Sequence, residues 1–142
     1  MKIWMGYGTE HSMNLVMIGH FKEAEDAAAA LDVIERIRER VTADEAAGRL
    51  EIGTPLDRYP DGMLELLGDV DFFSVGPGEL EQFAYDVSFD RDGDKIIIRT
   101  DESEVSAVMK LMVTRGARVE MYSAHDYVDT EYGLVARQQG DI

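Results

Sequence analysis

The sequence contains no cysteine, and it has no long apolar run. Without thiols the chain has no disulfide framework, no thiol nucleophile and no thiolate zinc site, so any metal would need His and carboxylate ligands. No apolar segment reaches membrane-spanning length, and the first residues lack the basic, apolar and small-residue parts of a signal peptide. We therefore expect a soluble, cytoplasmic protein that does not enter a membrane.

Positive charge is also scarce, because 14 Lys and Arg stand against 29 Asp and Glu, which gives a formal net charge of −15. Contacts to phosphate need clustered Lys and Arg, so direct binding to nucleic acid is not expected. Few Lys and a single Asn, Asn14, suit a halophilic or high-GC source, in which acidity serves solvation. The alternative is a surface that mimics nucleic acid, although the acidic residues are spread along the chain rather than gathered into runs.

Residues 13–48 carry the clearest secondary-structure signal. From Met13 to Phe21, apolar side chains fall on both faces of an extended segment, which is typical of an interior strand. In the next segment apolar residues recur every three or four positions, as in a helix that lies on a sheet. Acidic residues occupy the first turn of this helix, and Gly48 is its predicted C-terminal cap.

The second half of the chain predicts a hairpin and a helix. Apolar and polar residues alternate from Gln82 to Asp90, and a turn leads into a partner strand, Lys95 to Thr100. The next helix is predicted to begin at Asp101, since Asp101 and Glu104 have the spacing of a capping box, and to stop at Gly116.

Two further segments lie outside this pattern. Lys2 to Tyr7 is predicted as a short strand that turns back into the Met13 strand as an N-terminal hairpin. Residues 49–81 form a long insertion after the first helix, in which we predict a short helix capped by Asp61 and a short strand, Asp69 to Phe73. Connections of this length often carry function.

Apart from the extra N-terminal strand, the predicted order is strand, helix, strand, strand, helix, strand, with Arg118 to Ala124 as the last strand. This is the α+β, ferredoxin-like split βαβ arrangement, an antiparallel sheet with two helices on one face. Its first and third strands are central, and these are the two most apolar strands of the sequence. We expect a single domain, 1–142, with its core in 13–48 and 82–124 and a tail at 125–142.

Helices cover only one face of the sheet in this fold, so Val16 and Ile18 are expected to face solvent, the N-terminal strand, the insertion or another subunit. Apolar residues on an uncovered face often mark an interface, which predicts a homodimer joined through its sheets. A one-chain mass by light scattering at micromolar concentration would contradict this dimer. Aromatic residues of the insertion and tail either cover the same face or line a pocket for a small apolar ligand.

The histidines and their acidic neighbours form the candidate site of the sequence. The first and last core strands are antiparallel neighbours in the predicted topology. Glu10 and His11 should therefore lie near His125 and Asp126, with Tyr7 close by. Imidazole and carboxylate groups would hold a divalent metal such as zinc, manganese or iron, or would act as a proton-transfer pair. The alternative is that they are ordinary turn and surface residues of an acidic chain.

These observations leave three hypotheses open, and no cofactor other than that metal is predicted. The first is a small acidic binding or assembly module that self-associates and takes a small apolar ligand or a protein partner. The second is a metal-dependent or acid–base enzyme that uses the His and carboxylate groups at the strand ends. The third is the acidic mimic of nucleic acid, which would need carboxylates in rows on one face. His20, at the opposite end of its strand, is expected to be a helix-entry or packing residue.

Overall fold

The computed structural model describes residues 2–4, 14–102 and 104–123, and this part of the chain forms an α+β fold. Its elements are β1 (Lys2–Trp4), β2 (Leu15–His20), α1 (Ala24–Ala46), α2 (Met63–Asp69), a 3₁₀ helix (Pro77–Ala84), β3 (Val87–Asp92), β4 (Lys95–Thr100), α3 (Ser106–Thr114) and β5 (Arg118–Ser123). In the described part, no helix is both long enough and apolar enough to cross a membrane.

The strands form one sheet in the order β1-β5-β2-β4-β3. β2 pairs antiparallel with β4 and β5, and β3 pairs antiparallel with β4, so four strands make an open antiparallel sheet. β2 and β4 are flanked on both sides, which confirms the prediction that the first and third core strands are central. The β3–β4 hairpin predicted from the alternating pattern is also confirmed.

The predicted N-terminal hairpin is wrong, because β1 does not pair with β2. β1 pairs in parallel with β5, and Lys2 lies opposite Glu120. Both sides of β2 are already taken by β4 and β5. β1 therefore joins the sheet at the outer edge of β5, which is the edge that does not pair with β2.

The helices pack on one face of the sheet, which we call the helix face. Its core combines Leu15 and Met17 of β2 and Ile98 of β4 with apolar residues of α1 and α3. α3 comes very close at Gly19, where an added Cβ would lie 2.5 Å from Met112 Sδ. The missing side chain therefore lets the helix rest directly on the strand.

The opposite face of the sheet carries a second apolar cluster of Val16, Ile18, Ile97 and Tyr122. Each of these residues is at most 4% exposed within the single chain. Among the described residues of this face, the apolar side chains that motivated a dimer through the sheet are therefore buried rather than exposed.

Residues 49–81 belong to the core on the helix face. Their buried apolar side chains join the main cluster of sheet and helices; they are Leu50, Met63, Leu67, Val70, Phe72, Val75 and Leu80. The predicted strand from Asp69 to Phe73 is wrong, because this segment closes the end of α2: Phe72 N donates to Leu67 O at 2.9 Å. The predicted cap Asp61 is also wrong, since Gly62 is the N-cap residue, with φ of 83°.

The start of α3 is capped from a distant part of the chain. The predicted capping box of Asp101 and Glu104 is wrong, because α3 begins at Ser106. Instead the side chain of Gln82 accepts a hydrogen bond from Ala107 N at 2.8 Å and donates one to Ser106 Oγ at 3.1 Å. Gln82 lies in the 3₁₀ helix, and β3 begins only at Val87. The predicted strand is therefore wrong for residues 82–86.

Candidate ligand-binding groove

The residues of the predicted metal or proton-transfer site, Tyr7, Glu10, His11, His125 and Asp126, lie outside the described residues. The strand arrangement behind that prediction is confirmed up to the strand ends, since Leu15 at the start of β2 lies opposite Ser123 at the end of β5. Within the part that the structure describes, no group of three or more His, Asp and Glu is placed to hold a metal ion.

His20 is partly exposed at the end of β2, where the chain leads into α1, and it pairs with a carboxylate on the next strand. Its Nε2 lies 2.6 Å from Glu120 Oε1, and the two side chains are 36% and 32% exposed. Arg118 is the residue directly opposite His20 on β5. The contact with His20 engages the Glu120 carboxylate near the start of β5.

A groove of about 600 Å³ opens between α3, the start of β5 and the segment that follows α2. Its lining residues are Ser74, Met109, Lys110, Val113, Thr114, Ala117, Arg118 and Val119, and we call it the α3 groove. β1 pairs only with Glu120 to Tyr122 of β5. The first residues of β5 therefore have no described strand on their outer side.

The apolar part of the groove comes from one side of α3 and from the chain that follows it. Met109 and Val113 are four residues apart and so lie on the same side of the helix. Ala117 and Val119 are 8% and 2% exposed, whereas Val113 is 51% exposed. An apolar molecule would gain most from covering Val113, because its side chain now faces water.

The residue types that line the groove differ from those of the acidic chain as a whole. Two lining residues, Lys110 and Arg118, are basic, and the described lining includes no Asp or Glu. The fifteen residues between Glu104 and Glu120 form the longest stretch of the sequence without an acidic residue, although the chain contains 29 of them. This stretch is the signal in the sequence by which the groove could have been found.

Lys110 is held by a carboxylate behind the groove. Its Nζ donates to Glu79 Oε1 and Oε2 at 2.8 and 3.0 Å and to Ser74 O at 3.4 Å. Glu79 also accepts hydrogen bonds from Ser106 Oγ at 2.6 Å and Gly76 N at 2.9 Å. Burial raises the pKa of Glu79, but the bonds from Gly76, Lys110 and Ser106 together hold it below its ordinary value.

The segment beside the groove is anchored to α3 at two points. Arg115 Nη2 donates to Val70 O at 2.7 Å, and Lys110 binds Ser74 O at the other end. Between these anchors Phe73 is 64% exposed, next to the lining residue Ser74. These two hydrogen bonds hold this wall of the groove in place, although the segment that forms it is not a strand.

The lowered pKa of Glu79 predicts a loss of stability in acid. A carboxyl group whose folded pKa lies below its unfolded pKa stabilises the fold above about pH 4.3, and the contribution is lost as pH falls through the folded pKa. We expect Glu79→Gln to be about 1–2 kcal/mol less stable than the wild type at pH 7, because the charge-assisted hydrogen bonds are weakened. Urea unfolding at pH 7 and pH 3 should show this difference shrinking at the lower pH. Glu65→Gln, an exposed change on α2, is the control, and equal pH profiles for both variants would contradict the prediction.

Comparison with known proteins adds a family but no activity. A protein-family model matches residues 1–133, and the family is described as one of unknown function. Curated proteins and solved structures gave no match.

Proposed function

The chain belongs to the family of unknown function DUF6375, and we propose that it is a binding module that takes a small apolar molecule in the α3 groove. One observation carries the proposal: a mainly apolar groove whose described lining includes no acidic residue, in a chain whose net charge is −15. Its volume of about 600 Å³ falls within the range of roughly 300–1,000 Å³ that is usual for ligand pockets. Mainly apolar walls with a few polar groups are also usual in such pockets.

The architecture that we propose for this module is the ferredoxin-like one. Without β1, the strand order is β5-β2-β4-β3, and α1 and α3 both contribute to the core on the helix face. Both observations support the proposal. β1 and residues 49–81 are then additions to the ferredoxin-like arrangement, and the groove lies where no described strand pairs with the start of β5 on its outer side.

The other hypotheses keep different degrees of support. A homodimer through the sheet stays a prediction, although the burial of Val16 and Ile18 within one chain removes its original reason. The metal or acid–base site stays a prediction on residues outside the described part. The cytoplasmic location and the acidic mimic likewise depend on the sequence alone.

A neutral fluorescent dye tests the proposal. N-phenyl-1-naphthylamine, which is uncharged, should bind the wild type saturably at one site with a micromolar dissociation constant. Val113→Asp is expected to weaken binding at least tenfold, because the bound dye would cover an unpaired carboxylate.

The matched control for this variant is Leu64→Asp. Leu64 on α2 is 54% exposed against 51% for Val113, but it does not line the groove. Thermal unfolding of both variants shows whether they are folded. Absence of saturable binding by the wild type, or equal weakening by both variants, would reject the groove as a ligand site.

A further inference from the structure

The charge that the α3 groove offers a ligand depends on one ion pair. Lys110 lines the groove, and its Nζ donates to both oxygens of Glu79, at 2.8 and 3.0 Å, and to Ser74 O at 3.4 Å. A Lys ammonium has three donors, so these three contacts use its hydrogen-bonding capacity. Glu79 compensates the charge of Lys110 and does not itself line the groove. Lys110 is therefore not available to pair with an anionic ligand.

The other basic lining residue, Arg118, directs its side chain away from the apolar wall. Side chains alternate between the two faces along a strand. Val119 packs in the core on the helix face, whereas Tyr122 belongs to the cluster on the opposite face. The Arg118 side chain shares the face of Tyr122 by this alternation. The apolar wall of Met109 and Val113 belongs to α3, which lies on the helix face.

The polar groups that remain in the groove are neutral. Ser74 and Thr114 both line it and are exposed. Their hydroxyl groups form no hydrogen bond with another described residue. Thr114 is also the last residue of α3, and the carbonyl end of a helix carries a partial negative charge, which disfavours an anion there. The groove therefore offers a ligand hydroxyl groups rather than a free charge.

We propose that Glu79 makes the α3 groove selective for uncharged amphipathic molecules, such as long-chain alcohols, over the corresponding carboxylates. By pairing with Lys110, it takes up the one cation of the described lining that lies on the helix face. A carboxylate in the groove would lose water without gaining an opposite charge, whereas a hydroxyl group can exchange water for Ser74 or Thr114. This inference rests on the proposed function, and it adds the charge class of the ligand and the residue that determines it.

Two ligands with the same chain length, decanol and decanoate, test this selection by their displacement of N-phenyl-1-naphthylamine. The assay contains about 0.3 M NaCl, which screens the repulsion of decanoate by the net charge of −15. Decanol should displace the dye from the wild type at a concentration about tenfold lower or more. Because an alcohol also leaves water more readily than a carboxylate does, the decisive measurement is the variant Glu79→Gln. It frees Lys110, so the ratio of the two dissociation constants should shift about tenfold or more toward decanoate.

Glu65→Gln is the matched control for the loss of one negative charge, because Glu65 is exposed on α2 and does not line the groove. Its ratio should equal that of the wild type. In the double variant Glu79→Gln/Lys110→Gln the shift toward decanoate should disappear, because Lys110 carries it. Should Glu79→Gln fail to fold, Thr114→Lys places an uncompensated ammonium at an exposed position of the same wall. This variant should shift the ratio toward decanoate as well.

The outcomes separate this inference from the proposed function. If the dye does not bind the wild type saturably, the proposed function fails and this inference fails with it. If the dye binds but decanoate displaces it as well as decanol does, or if the ratio is unchanged in Glu79→Gln, the groove is still a ligand site and the assignment of Glu79 is overturned. A shift that Glu65→Gln shares, or that persists in the double variant, is a general charge effect and also overturns the assignment. An unchanged ratio in Thr114→Lys overturns the charge selection.

Discussion

Replacing Phe72 by Ala is expected to lower the free energy of unfolding by about 3–5 kcal/mol. Phe72 is 1% exposed and belongs to the main core cluster with the sheet and helices of the helix face. Its removal would leave a large cavity among residues that also hold α2 in place. Urea unfolding followed by far-ultraviolet circular dichroism measures the loss.

The adjacent residue supplies the control. Phe73→Ala removes the same side chain, but Phe73 is 64% exposed, so the expected change is within about 1 kcal/mol. Equal losses in the two variants would show that residues 49–81 are not part of the core. Should Phe72→Ala fail to fold, Phe72→Leu keeps the comparison measurable, because a smaller cavity costs less.

The parts of the fold that the sequence predicts are those whose periodicity is long or whose turn is specific. β2 is apolar on both faces because it lies inside the sheet, and five of its six residues are buried. α1 follows its apolar stripe over 23 residues, and Gly48 comes directly after its C-cap with φ of 80°. The β3–β4 hairpin closes at Gly93, which has a positive φ of 62°.

The wrong predictions arise where contacts distant in the sequence decide the local structure. Phe83 fits the alternation of a strand, yet it lies in a 3₁₀ helix that packs against α1 and α3. Its side chain is buried in the main core cluster. The cap of α3 comes from Gln82, 25 residues before the amide that it binds. A spacing rule that looks only at neighbouring residues chooses Asp101 and Glu104 instead, since nothing local distinguishes them from a true capping box.

The candidate site shows the same limit. Histidine and carboxylate chemistry is recognisable one residue at a time, so the sequence predicts a site at these residues. Met109 belongs to the apolar stripe that predicts the second helix, together with Val105, Val108 and Met112, so its pattern predicted core packing alone. Val113 is not part of that stripe. What sets this region apart in the sequence is the absence of acidic residues, and only the structure shows that Lys110 is paired with Glu79.

Asp44 links α1 to the start of the insertion, and Asp44→Ala is expected to cost about 2–3 kcal/mol. Its side chain is fully buried, and its Oδ1 accepts from Arg49 Nε at 2.9 Å and from Arg40 Nε at 3.4 Å. Arg40 also donates to Asp61 O, so this cluster ties the end of α1 to the segment before α2.

Both arginines are partly exposed, 34% and 51% for Arg40 and Arg49, so they can regain water when the carboxylate is removed. The cost of Asp44→Ala is therefore placed below that of breaking a fully buried pair. Because the carboxylate lies away from solvent, the loss should persist in 0.5 M NaCl, whereas salt screens exposed pairs. Asp32→Ala, an exposed change on the same helix, is the control and should stay close to the wild type. A loss that disappears in salt, or that Asp32→Ala shares, would show that Asp44 acts as an ordinary surface charge.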